Sequence, residues 1–500
     1  MHYVSLIVEF LRGRPAVVFW AAALTQAALW TVVPALFYSA PPGGVPILLA
    51  IGHEFLLGSY LGPPLAFWLG EIAYRLGGAL GLYALAQACI VVTYWAVFTL
   101  GRGIVGTRHA VLAVLLMVGI AAFTVPSVDF GPAVLAAPFW ALALLHYWRA
   151  VGEDRRGYWF LLAIDLGLLL LTNYIGLILV ALLVLFTLMS GRGLRALRYP
   201  EPWVATLLTA IVLFPHAWWL YDTHALVRSG LDDSLAAAGR LSPGLWLCAA
   251  LVAAHLGLLL LVALASGWPR KRARAPGIDR DPVAPFARAF VYVFALAPAA
   301  AAIALAFASE RLGPLASLAP LLTLSGLAVI VAAGDQVLLY RERLVSSAWL
   351  GLLVVPPALV VFGIAVLPWF VQIDPQVALP AKAEGRFFAE TFQRRTGKPL
   401  AYVTGDARLA PLVALGASSR PHVFFAWAPE RSPWAAPADV RTRGGVLVWP
   451  ADGNKAAPPA DLKAQFPELV PEVPRSFTRA VQGFLPAIRL GWSVLRPKTP

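Results

Sequence analysis

Three short stretches of this sequence gather residues able to do acid–base or phosphate chemistry. In the first, His53 and Glu54 precede Tyr60 and the pair Pro63 and Pro64, and Arg75 follows. In the second, Asp129 is the carboxylate between Pro126 and Pro132. In the third, His216 stands with Trp218 and Trp219, ahead of Asp222, His224 and Arg228. A carboxylate such as Glu54 or Asp129 can act as a general base toward a hydroxyl or orient an acceptor. Guanidinium groups such as Arg75 and Arg228 can hold a phosphate and stabilise charge developing on it. His53, His216 and His224 are further polar contacts. Plain structural uses compete with each role: Asp129 can cap the next helix, His216 can lie at a membrane interface beside its tryptophans, and Glu54 can face solvent. Asp165 and Asp335 fall within or near apolar runs, where an ionisable residue is expected to find a partner on a neighbouring helix.

Other chemistries lack their signatures. Gly101, Gly103 and Gly106 match the spacing of a dinucleotide-binding loop, but they follow an apolar run rather than a strand and read as a basic turn. No phosphate-binding P-loop, zinc-protease helix or serine-hydrolase elbow is present. No His, Asp and Glu cluster has metal-ligand spacing, so neither a metal nor another cofactor is expected. Cys89 and Cys248 lie in separate apolar runs and read as packing residues.

The elements that must position these groups are membrane helices. Hydrophobic residues make up 60% of the 500 and charged residues only 13%, with a mean hydropathy of +0.74. A soluble domain carries about twice that charge. Runs of roughly 20 apolar residues predict about eleven spans, centred near residues 27, 90, 117, 140, 165, 181, 212, 256, 299, 328 and 359. The fifth and sixth are divided only by Thr172, Asn173 and Tyr174. The net charge of +13 is spread over alternate loops, at Arg102 and Arg108, Arg149, Arg155 and Arg156, Arg192, Arg195 and Arg198, Arg270 to Arg274, and Arg341 and Arg343. That alternation reads as a positive-inside pattern with a cytoplasmic N-terminus, and it excludes a nucleic-acid partner, which would need one solvated basic face.

On this topology, residues 1–370 form a transmembrane domain. Its first outward loop, 39–78, carries two interfacial amphipathic helices, Pro46 to Tyr60 and Leu65 to Gly77, separated by Gly62, Pro63 and Pro64. Residues 371–500 form an outward α/β domain. Strands are expected at Leu400–Val403, His422–Trp427 and Gly445–Trp449 and helices at Gly385–Arg395 and Ala407–Leu415, which suggests a parallel sheet. A less regular tail is expected from Pro471.

The run Gly58, Ser59, Tyr60, Leu61, Gly62, Pro63, Pro64, Leu65, Ala66, Phe67, Trp68, Leu69, followed by Tyr74 to Gly78, Asp129 and Leu168 to Gly176, resembles the polyprenyl-phosphate-sugar glycosyltransferases. This is the GT-C group of bacterial protein O-mannosyltransferase-like and aminoarabinose-transferase-like enzymes. The likeness covers roughly residues 10–225. It implies a GT-C-like helical fold with an outward C-terminal domain in the bacterial cytoplasmic membrane. It also implies a lipid-linked sugar donor, an envelope lipid, glycan or protein acceptor, and chemistry at the outer face. Where that family carries Asp-Glu in the first loop, this sequence reads Gly43, Gly44, Val45 and Pro46, and Gly62 and Asn173 stand at two positions where the family often has cations or donors. The residues therefore leave two further readings open: a non-catalytic member that binds lipid-linked sugar, and a secondary transporter, which would need internal repeats that the sequence lacks.

Overall fold

A computed structural model describes residues 9, 13–223, 226, 242–267, 277–451 and 457–498. His224 and Arg228 lie outside the described residues, as do Arg270 to Arg274. The chain divides into two compact units, one of residues 1–32, 60–66 and 82–358 and the other of 33–59, 67–81 and 359–500.

The first unit is helical. Among the described residues of the whole chain, seven helices are long and apolar enough to cross a membrane: Pro15–Phe37, Leu65–Met117, Pro132–Gly152, Glu201–Asp222, Pro243–Ala265, Pro285–Ser309 and Glu342–Ala365. Shorter apolar helices cover Tyr158–Leu170, Gly176–Met189 and Leu318–Ala332. The protein is thus a polytopic helical membrane protein, as the apolar runs predict.

The expected spans near residues 90 and 117 both fall on the 53-residue helix Leu65–Met117. Its backbone turns at two left-handed glycines, Gly78 (φ +59) and Gly106 (φ +79). A Cβ on Gly81 would lie 2.4 Å from the Ala73 carbonyl and one on Gly101 would lie 3.1 Å from Ala110 Cβ. Residues eight or nine apart in a straight helix are separated by about 12 Å or more, so the rod bends sharply at Gly78 and doubles back at Gly106. The limb past Gly106 is shorter than the expected span, because 3-10 turns replace the helix from Ala121 to Val128. Gly119 there lies against Gly257, and a Cβ would meet the Leu258 nitrogen at 2.7 Å. Close backbone approach through small residues is how membrane helices gain packing area.

Thr172, Asn173 and Tyr174 do break the chain between two short helices. Buried Asn173 uses its whole amide there, donating to Ser317 Oγ at 2.8 Å and accepting from the Ile175 amide at 3.0 Å. The core of this unit is aromatic, with Tyr147 stacked on Phe290 at 6.1 Å and Phe186 and Phe294 edge-on to each other. Two short strands, β1 (Gly277–Asp279) and β2 (Gln336–Leu338), pair antiparallel, and Asp335 beside them lies 3.7 Å from the buried Arg280.

The second unit joins residues 33–59 and 67–81 to the C-terminal region. A five-stranded sheet is built from β3 (Tyr402–Gly405), β4 (His422–Phe424), β5 (Gly445–Pro450), β6 (Arg475–Phe477) and β7 (Ile488–Leu495), in the order β4-β3-β5-β7-β6. The parallel sheet expected from the sequence is only its first half. β3 pairs parallel with β4 and β5, but β7 runs antiparallel to both β5 and β6. The tail expected to be irregular thus supplies the eight-residue β7. Helices Ala381–Thr396 and Leu409–Gly416 cross at two glycines, where a Cβ on Gly385 would strike Gly416 at 2.1 Å. The loop is tied in by its backbone: Ser39 N–H donates to the Val377 carbonyl at 2.8 Å, and the Gln376 amide donates to the carbonyls of Pro41 and Gly43 at 3.0 Å each.

Candidate functional site

Within the second unit, six ionisable side chains from the loop and the sheet domain meet. The helix Val45–Gly52 is shorter than the expected Pro46–Tyr60. It stops because Gly52 is pressed against the Phe67 carbonyl, where a Cβ would sit at 2.4 Å, and because Phe55 turns into the left-handed region at φ 50. That turn delivers His53 and Glu54. Trp68 Nε1 pins it by donating to the Leu56 carbonyl at 2.8 Å.

Glu71, on the limb before Gly78, is the centre of the cluster. Its Oε1 accepts from Arg75 Nε at 2.8 Å and its Oε2 from Arg420 Nη2 at 2.6 Å. His53 Nδ1 lies 3.2 Å from Glu71 Oε1 and also 3.2 Å from Arg75 Nη2. One Nδ1 cannot donate to the acid and accept from the guanidinium together, so its tautomer selects the partner. Beside this group Glu54 Oε1 lies 2.7 Å from His422 Nδ1, and the two imidazole rings stand 5.3 Å apart. The hydrogen bond that His422 donates to Glu54 raises the His422 pKa above its usual value, against the opposing effect of burial.

Exposure divides the cluster by sign. The side chains of Glu71 and Glu54 are 0% and 9% exposed, whereas those of Arg75, His422, Arg420 and His53 are 50%, 37%, 24% and 21% exposed. The acids are inside, and the cations they hold are presented outward. Aromatic faces keep the guanidiniums in place, with Arg75 over Phe55 and Arg420 over Tyr74, each at 5.0 Å. Arg420 itself has a left-handed backbone, at φ 47. The two guanidiniums share one buried carboxylate and keep N–H groups that it does not use, and that geometry suits a phosphate or another compact anion.

The other residues singled out in the sequence belong to the helical unit. Asp129 is exposed, just after the turn Val125–Val128. Tyr60, Pro63 and Pro64 are buried at the start of the helix Leu65–Met117, where the Leu65 amide donates to the Leu171 carbonyl at 3.0 Å. His216 is buried, stacked on Trp219 at 5.7 Å, with its Nε2 3.1 Å from the Tyr174 hydroxyl. Asp222 is exposed at the end of its helix. Asp165 finds the partner expected of it, His146 Nδ1 at 2.5 Å.

The structure thus joins His53, Glu54 and Arg75 and adds Glu71, Arg420 and His422. Glu71 and Arg75 carried a readable signal, an acid and a base four residues apart on one helix face. Arg420 and His422 carried none. Among the described residues no group of three or more His, Cys, Asp or Glu is placed to hold a metal ion.

Residues 62–219 match the family model described as dolichyl-phosphate-mannose-protein mannosyltransferase. No protein of curated function matches the sequence. Among solved structures, the chain is similar to ArnT from Cupriavidus metallidurans in the apo state, at 14% identity and a TM-score of 0.48, over 98% of this chain and 100% of that one. It is similar to the same protein bound to undecaprenyl phosphate at 14% identity and a TM-score of 0.40, over 97% and 99%. It is also similar to the oligosaccharyltransferase AglB from Archaeoglobus fulgidus, in complex with an inhibitory peptide and a dolichol-phosphate, at 14% identity and a TM-score of 0.45, over 88% and 70%. The resemblance to polyprenyl-phosphate-sugar glycosyltransferases is borne out over residues 62–219, a stretch that includes Glu71, Arg75, Asp129 and His216.

Proposed function

We propose that this protein transfers a sugar from a polyprenyl-phosphate carrier to an envelope acceptor at the outer face of the bacterial cytoplasmic membrane. The observation that carries the reading is the partly exposed cation cluster built around buried Glu71, in a chain whose residues 62–219 match a family that uses such donors. Arg75 and Arg420 hold the donor phosphate. As the bond between the anomeric carbon and the phosphate oxygen breaks, negative charge grows on the leaving phosphate, and fixed guanidinium N–H groups stabilise it without reorganising. His53 and His422 add ring N–H donors. A lipid phosphate lies at headgroup level, where the interfacial helices of the loop can present this cluster. Residues 371–500 then form an extracytoplasmic domain, in keeping with the positive-inside pattern of the loops.

A hydroxyl acceptor needs a carboxylate to take its proton as the new bond forms. Either Glu54, tied to His422, or Asp129 is assigned that role. Tyr60, Pro63, Pro64, His216, Asp222, His224 and Arg228 are assigned to substrate contact. A phosphate acceptor would need no strong base. Membranes carrying the protein, incubated with radiolabelled polyprenyl-phosphate sugar, are expected to transfer label. Full transfer by a Glu54→Gln, Asp129→Asn double variant would remove the base assignment.

One observation favours a second reading, in which the protein binds lipid-linked sugar without turnover. Both glutamates of the cluster are engaged, Glu71 by two arginines and Glu54 by His422, and Gly43 and Gly44 stand where the resemblance places an acidic pair. Saturable donor binding with no transfer and no sugar flux would select it.

A further inference from the structure

We infer that the second unit carries a membrane-seating surface made of two segments remote in sequence, residues 366–373 and 480–488, and that its occupant is the headgroup–acyl boundary of the membrane. This rests on different residues from the phosphate reading and stands or falls apart from it.

From Leu344 to Ile373 the sequence has no ionisable residue, and Ala480 to Ile488 has none either. The helix Glu342–Ala365 ends inside the first of these runs. Beyond it the chain does not turn its apolar side chains inward. Trp369 is 52% exposed, Phe370 75%, Ile373 54% and Phe484 67%. The exposed face continues back onto the last turns of the helix through Leu359 and Phe362. In water such a patch would be a liability. At the end of a membrane span, aromatic residues sit favourably at headgroup depth, where ring and polar edge meet different solvents.

The two segments are fastened to each other. The Phe484 amide donates to the Pro368 carbonyl at 2.9 Å, and the Trp369 and Phe484 rings meet edge to face at 6.3 Å. Gly483, at φ +53, permits this contact, since a Cβ there would lie 2.3 Å from the Pro368 carbonyl oxygen. The first charge after one run, Asp374, pairs with the last charge before the other, Arg479, at 2.9 Å. Arg479 also donates to the Pro486 carbonyl and so closes the loop from below. The charged pair therefore marks where both segments leave the apolar zone together. A lipid boundary explains why the charge stops at the same level on both strands of chain.

Two measurements test this on the full chain in proteoliposomes. In the wild-type protein, a lipid with a photoactivatable headgroup is expected to leave adducts on peptides spanning 366–373 and 480–488. In a Cys89→Ala, Cys248→Ala background, a nitroxide at Phe484→Cys is expected to collide more with membrane-dissolved oxygen than with an aqueous nickel chelate, in contrast to one at Lys463→Cys. Adducts confined to the spanning helices, or a Phe484→Cys label as open to the aqueous chelate as the Lys463→Cys label, would overturn the proposal. A label shielded from both reagents, or crosslinks to a second copy of the chain, would overturn it as well by naming a protein occupant.

Discussion

The two units bury acid in opposite ways. In the helical unit Asp165 meets His146 at 2.5 Å, and both side chains are shut away, at 8% and 11% exposure. The pair is closed: each group is the other's partner, and little of either faces out. In the second unit Glu71 is fully buried but shared by Arg75 and Arg420, which remain open to the surroundings. A closed pair ties helices together. An open one spends its acid on aiming cations, and it is the arrangement expected where a ligand must supply the balancing charge.

The comparison can be broken most forcefully from the cation side. Replacing Arg75 and Arg420 together by Ala is expected to lower sugar transfer about 100–1000-fold, the usual cost of losing preorganised donors to developing charge. Tm should fall as well, because fully buried Glu71 loses both of its guanidinium partners. Transfer rates from labelled donor, set beside Tm, check this.

A third acid sharpens the contrast. Glu384 is 0% exposed and neither of its oxygens has a hydrogen-bond partner. Burial pushes its pKa up to about 7, against the attraction of Arg479. A carboxyl whose folded pKa exceeds its unfolded value contributes stability below the unfolded pKa and loses it as pH rises through the folded one. Stability is therefore expected to fall between about pH 4.5 and pH 7. Glu384→Gln should remove that slope and stabilise the protein at pH 8 by about 3 kcal/mol. Unfolding midpoints across pH measure it. An unchanged slope would place the acid in contact with water.

Next comes Glu71→Gln, which keeps the shape and removes the charge. Loss of charge-assisted hydrogen bonds worth about 1.5–3 kcal/mol should raise the donor KM roughly 10–100-fold. Because Glu71 acts through the two arginines, the effect should fall on KM more than on kcat, and Glu71→Asp should restore part of it. The smallest functional effect is expected at the closed pair. Asp165→Asn should cost about 1–3 kcal/mol of stability, while the turnover of folded protein stays at the wild-type level. A selective loss of turnover would make the two kinds of burial functionally alike.

Much of the helical architecture was legible because lipid admits few solutions for the backbone. The apolar runs, the break at Asn173 and the bends near Gly78 and Gly106 all leave local marks. The candidate site was half legible. His53, Glu54 and Arg75 lie close together in sequence among aromatic and proline residues, and Glu71 is conspicuous as an acid in an apolar helix. Arg420 and His422 reach the same place through the sheet, a contact across more than three hundred residues that no periodicity encodes. β7 escaped notice for a related reason. Gly491 and Arg489 interrupt its apolar pattern, and its register comes from the β5 partner.

The cluster around Glu71 is expected to recognise the phosphate of a polyprenyl lipid. Its most direct test is competition between a short-chain polyprenyl phosphate and the matching neutral polyprenol for purified wild-type protein and for the Arg75→Ala, Arg420→Ala variant. The wild type is expected to prefer the phosphate by at least tenfold, about 1.4 kcal/mol, and the variant to lose that preference while still binding the hydrocarbon chain. An equal preference in both proteins would place the phosphate site elsewhere in the molecule.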